Sequence, residues 1–168
     1  HHWPNLKSLA VGSCTAEKST SKHRERLFER VRSVSMNNWL NPNQIWRGQN
    51  KFKAFSKLSD MTLPATSGIR VLLDEREDRI NNGFFVIDMA GFRPTRSRSY
   101  QMVDIPASYH NGAGGVSFAD GHAIIHSWKD PRTIPPIIKG RNLPLTAGSP
   151  NNQDVAWLQE RSTGLINP

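Results

Sequence analysis

The chain has 168 residues, with 22 Lys and Arg against 14 Asp and Glu, 36% apolar residues and a single cysteine, the proportions of one soluble domain. A charged fraction of 21% argues against disorder, while 12 Gly and 11 Pro predict many loops around a modest core and disfavour a helical bundle. No run approaches the ~18 apolar residues of a membrane helix, no basic-then-apolar leader opens the sequence, and Cys14 has no intramolecular partner.

The net charge of +8 is uneven. Residues 1–59 hold 11 basic and 3 acidic side chains, residues 60–90 hold 3 and 6, and the remainder 8 and 5. The excess therefore lies in the first third, around Lys18, Lys22, Arg24, Arg26, Arg30 and Arg32, an electrostatic footprint for a polyanion such as DNA or polysaccharide. The same pattern also describes a solvated face, and no recognised nucleic-acid motif accompanies it.

In chain order, Ser19-Thr20-Ser21 can cap a short helix carrying Leu27, Phe28, Val31 and Val34, although Val34 and Met36 equally fit a strand. From Trp39 to Phe55 the turn residues predict a long loop, pinned to the core by Trp39, Trp46, Phe52 and Phe55. Ile69–Leu73 and Phe84–Ile87 read as strands that pair across the Asn81-Asn82-Gly83 turn. The strongest local expectation is a hairpin over 115–128 with a two-residue Asp120-Gly121 loop. It opposes Val116 to Ile125 and Phe118 to Ala123, and places these four on the core face. After Trp128 the closely spaced prolines predict an extended C-terminal wrap anchored by Val155, Trp157 and Leu158.

His122 and His126 with Asp120 suggest a metal cluster only on paper, since residues four apart on a strand lie about 13 Å apart. Both histidines are expected on the exposed face of the hairpin. The acidic run Asp74, Glu75, Glu77 and Asp78, with Asp88 beyond, could suit a hard cation such as calcium, but interleaved Arg76 and Arg79 favour a solvated ion-pair network. Ser108, Tyr109 and His110 lie close together without a nucleophile elbow. No phosphate loop, dinucleotide fingerprint or Cys-x-x-Cys pair occurs, so enzymatic activity has no positive support. Gly112, Gly114 and Gly115 read as a mobile turn.

One spacing is more specific. His110, nine residues, then Asp120-Gly121 resembles the C-terminal signature of prepilin-like proteins of the type IV pilus and type II secretion kind, abundant in planctomycetes and verrucomicrobia. Four further blocks are similar to that family in order: Arg32–Asn37, Leu73–Gly83, Asp130–Pro136 and Ser149–Leu158. Together they cover roughly residues 30–160. The likeness weakens before residue 30. The family's Cys-Pro-Ala-Asp is here Cys14-Thr15-Ala16-Glu17, and Gly114 stands where the family has a second cysteine, so a disulfide between those places cannot form.

The resemblance implies an α+β or mostly β pilin-like head over residues 3–168, with an antiparallel sheet, no catalytic centre and no required cofactor. It also implies other pilin-like subunits and a secretion or pilus machine as partners, and a place in the cell envelope, periplasm or cell surface. Membrane attachment would come only through an N-terminal helix, which this sequence does not contain. Some pseudopilins hold calcium in a C-terminal loop, which makes Asp74, Asp78 and Asp120 metal candidates. Physically, glycine at 121 supplies a positive φ, Asp120 can accept nearby backbone N–H groups, and His110 can tie the glycine-rich loop to the sheet as a structural staple. An extracellular polysaccharide- or DNA-binding module is the second reading, and a metal-dependent hydrolase the third.

Overall fold

Short β-prone runs separated by Gly, Pro and Asn turns assemble a mixed α+β fold in which an antiparallel sheet dominates. The computed structural model describes residues 20–23, 26–29, 32–40, 49–92, 94–137 and 146–167. The strands are β1 (Thr20–His23), β2 (Arg26–Glu29), β3 (Val34–Asn37), β4 (Arg70–Asp74), β5 (Phe84–Phe85), β6 (Gln101–Met102), β7 (Ala113–Phe118), β8 (Ala123–Ser127) and β9 (Ala147–Gly148). One α-helix, α1, spans Gln153–Glu160. The five-stranded sheet runs β5-β3-β4-β7-β8, while β1 pairs with β2 and β6 with β9.

The ambiguous segment after Ser19 is strand, not helix: β1 and β2 form a hairpin with Lys22 opposite Leu27, and β3 enters the main sheet. In β3 the polar residues face inward. Ser35 and Asn37 are buried and Val34 and Met36 half-buried, because Asn37 Nδ2 donates to the carbonyls of Arg70 (3.0 Å) and Ser162 (2.9 Å) and is therefore satisfied inside.

The expected pairing of β4 with β5 does not occur. β3 lies between them, antiparallel to β4 and parallel to β5, so the Asn81-Asn82-Gly83 turn carries the chain across to the sheet edge. Asn82 Oδ1 accepts the Phe84 N–H (2.8 Å), and Met36 N–H donates to the Gly83 carbonyl (2.8 Å).

The β7–β8 hairpin forms where its turn residues place it, but its register differs by one residue. Val116 faces Ile124 and Ser117 faces Ala123, and the loop has three residues, Ala119-Asp120-Gly121. Gly121 N–H donates to the Phe118 carbonyl (3.0 Å), and Gly121 at φ +96 then allows Phe118 N–H to reach the His122 carbonyl (2.9 Å). This is the arrangement of a type I turn closed by a left-handed glycine. The one-residue slip exchanges the faces of the partner strand, and β8 at the sheet edge is exposed along most of its length: Val116 and Phe118 are buried as expected, while Ala123 and Ile125 (63%) are exposed and Ile124 on the opposite face is 37% exposed. Gly114 and Gly115 belong to β7 and are not a mobile turn.

The C-terminal segment is not extended throughout. Its prolines stop at Pro150 until the chain end, and Asn152 caps α1 by accepting the N–H groups of Asp154 (2.8 Å) and Val155 (3.3 Å). Val155 and Leu158 are fully buried, as expected of anchors, and Trp157 is half-buried. The main core joins Trp39, Leu73, Phe85, Ile87, Val116, Phe118, Trp128 and Leu158. Phe52 bridges Trp39 (5.8 Å) to Phe92 (5.4 Å), and Phe55 is buried, so the aromatics do pin their segment. Trp46 lies outside the described residues.

Candidate functional site

The signature residues frame the β7–β8 hairpin from its two ends. Six residues of β7 at ~3.3 Å each separate those ends by about 20 Å, so His110 and Asp120 do not share a site. At the open end, Asn111 (φ 53) and Gly112 (φ 79) fold a turn in which His110 and Ala113 exchange backbone hydrogen bonds at 3.2 Å, and Trp128 N–H closes on the Gly112 carbonyl (3.0 Å). His110 Nε2 stands 4.0 Å from Asp74 Oδ2, which also accepts the Gly115 N–H (2.9 Å). Burial raises the Asp74 pKa, opposed by the Gly115 N–H and by His110.

Two glycines make this junction possible. A Cβ at 115 would stand 2.9 Å from Asp74 Oδ2, and one at 114 only 2.6 Å from the Ala107 carbonyl, which accepts Trp128 Nε1–H (2.9 Å). The backbone at 114 leaves no room for a cysteine. At the tip, Asp120 Oδ1 accepts the His122 N–H (3.2 Å) and pairs with His122 Nδ1 (2.6 Å), and that bond lowers the Asp120 pKa. His122 stacks on Phe118 (4.2 Å). His126 is not exposed as expected; it lies flat against Trp157 (3.8 Å), and burial lowers its pKa.

The metal candidates are apart. Asp74 serves β7, Asp120 the hairpin tip, and Asp78 is held bidentately by Arg76 (2.6 and 2.9 Å). Among the described residues no group of three or more His, Cys, Asp or Glu could hold a metal ion. Of the basic candidates, Lys18, Arg24 and Arg30 lie outside the described residues, and Lys22 and Arg26 occupy β1 and β2. Arg32 Nη2 donates to the Asn82 carbonyl (2.6 Å), holding the turn that precedes β5.

The acidic run is not a solvated network. Glu75, Arg76, Arg79 and Asp88 are each at most 5% exposed, and Arg70 and Asp104 join them inside. Arg76 Nη1 donates to the Pro135 carbonyl (2.6 Å), and Arg79 donates twice to the Val103 carbonyl. Arg70 bonds Ser162 Oγ (3.1 Å) and lies over the Phe85 ring (5.0 Å); burial lowers its pKa to about 9, against the pull of Asp104 and Glu75. Burial, then the neighbouring Asp104, raises the Glu75 pKa to about 8, so Glu75 is mostly protonated at neutral pH. Asp104 Oδ2 accepts the Val86 N–H (2.6 Å). Asp104 was discoverable only as an acid inside the otherwise apolar Met102–Ile105 run.

No family profile, curated protein or solved structure matches this chain. Among the described residues no helix is long and apolar enough to cross a membrane.

Proposed function

We propose that this domain is the extracytoplasmic head of a pilin-like or pseudopilin-like subunit, a non-catalytic component that assembles with other such subunits and serves a secretion or pilus machine. The observation that supports it is how the blocks resembling that family are used. Ser35 and Asn37 are buried in β3, Asp74 holds β7, Gly121 turns the hairpin, and Asn152 caps α1. These are framing roles spread across the described residues, which suits a subunit whose work is done by its shape. A metal-dependent hydrolase would need convergent acids, and the three metal candidates sit in separate places. The test is to read the coding sequence upstream of His1. A prepilin cleavage site followed by about 20 apolar residues, the length of a membrane helix, is expected. An upstream region encoding neither would count against the proposal.

A further inference from the structure

A cavity of about 370 Å³ opens along α1, walled by Phe92, Ser97, Tyr100, Gln153, Gln159 and Glu160. Its polar groups are held in place yet only partly used. Tyr100 is 5% exposed, and its hydroxyl makes no hydrogen bond among the described residues. Burial and the Glu160 carboxylate raise the Tyr100 pKa, which keeps that hydroxyl a proton donor. Gln159 is 1% exposed; its Nε2 is fixed by the carbonyls of Asp88 (2.8 Å) and Ala90 (3.0 Å), and its Oε1 has no partner among the described residues and is closed off from solvent, so Gln159 shapes the wall more than it offers a bond. Asn151, held at φ 59, receives the Ser97 hydroxyl on Oδ1 (2.5 Å), which leaves its Nδ2 donor uncommitted.

The Asn151 amide, the Tyr100 hydroxyl, the Glu160 carboxylate and apolar walls from Phe92 and Ala156 suit a ligand that alternates hydroxyls with C–H surface. That is the chemistry of a pyranose. Glu160 disfavours an acidic ligand. A neighbouring hollow of about 470 Å³, with Ser67 and His122 on its wall, shares Glu160 and gives a second unit somewhere to lie.

We propose that the cavity flanking α1 binds a neutral sugar unit of a glycan. The site is separate from the basic first third and does not depend on the assembly role proposed above. To test it, the isotopically labelled protein is titrated with cellobiose, lactose and chitobiose, following amide shifts by NMR. Saturable shifts centred on Gln153, Ala156 and Gln159 are expected with at least one of them, at a Kd of order 1 mM. Tyr100→Phe keeps the ring and Glu160→Gln keeps the shape, and each should weaken binding about fivefold to tenfold, the worth of one hydrogen bond. His110→Ala, at the other end of the hairpin from His122, should leave it unchanged. The proposal is overturned if none of the three sugars gives saturable shifts up to about 50 mM, a ceiling well above ordinary lectin-like affinities. It is equally overturned if both cavity variants bind as well as the parent, or if galacturonic acid or a tyrosine-containing peptide binds there more tightly than any neutral sugar.

Discussion

The hairpin tip and the interior beside β4 use the same kinds of side chain in opposite surroundings. At the tip, Asp120 and His122 pair at 2.6 Å with roughly a third and a half of their side chains exposed. Inside, Arg70, Glu75 and Asp104 sit within 3% of full burial. Water screens the pair at the tip and is kept from the interior group, which makes no direct ion pair among the described residues and acts through burial and longer-range charge: the tip shapes a turn, while the interior groups set how the protein responds to mutation and pH.

The largest expected effect follows from breaking the interior group. Arg70→Ala empties a fully buried site, removes the bond to Ser162 and the Phe85 contact, and leaves Arg79 as the one cation of the two acting on Asp104, which should cost about 2–5 kcal/mol in urea unfolding. Glu75→Gln should act in the opposite direction. The Glu75 pKa rises from 4.5 to about 8 on folding, so its contribution to stability is fully present below pH 4.5 and is lost as pH rises through about 8. The parent should therefore lose stability between about pH 5 and 8, whereas the Gln variant keeps it. At pH 8 the variant should be the more stable by about 4 kcal/mol, measured by denaturation across pH.

Asn152→Ala tests a polar group that is buried but neutral. Its side chain caps α1 and also donates to Thr133 Oγ1 (3.2 Å) and Ser149 Oγ (3.0 Å), so removal should cost about 2 kcal/mol. At the other extreme, Asp120→Asn keeps an acceptor for the His122 N–H and loses only a screened charge. Its melting temperature should move by less than about 1 °C, in line with surface substitutions.

The same contrast explains what could be read in advance. Asp120-Gly121 announces its turn because local chemistry decides it, but the register depended on whether two or three residues close the loop, and Gly121 at φ +96 chose three. The Asn152 cap and Asp154 in the first turn were local signals for α1, overshadowed by the prolines on either side of that stretch. The position of β3 between β4 and β5 is a tertiary choice with no local mark. Interleaved Arg and acid residues from Asp74 to Arg79 look alike on a wet surface and in a buried seam, and only packing separates them. Of the candidate site, the spacing from His110 to Asp120 was legible, as was the open-end position of His110. The Asp74 contact was not, because it crosses strands.

The measurement that bears most directly on the framing role of the signature is thermal melting of His110→Ala beside the parent. His110 Nε2 stands 4.0 Å from Asp74 Oδ2 at a partly exposed position; on the staple reading its loss loosens the turn before β7, and a melting temperature lower by about 1–3 °C is predicted, the scale of one modest contact in a domain of this size. An unchanged melting temperature would contradict it and move His110 from the frame of the fold to a surface that meets a partner.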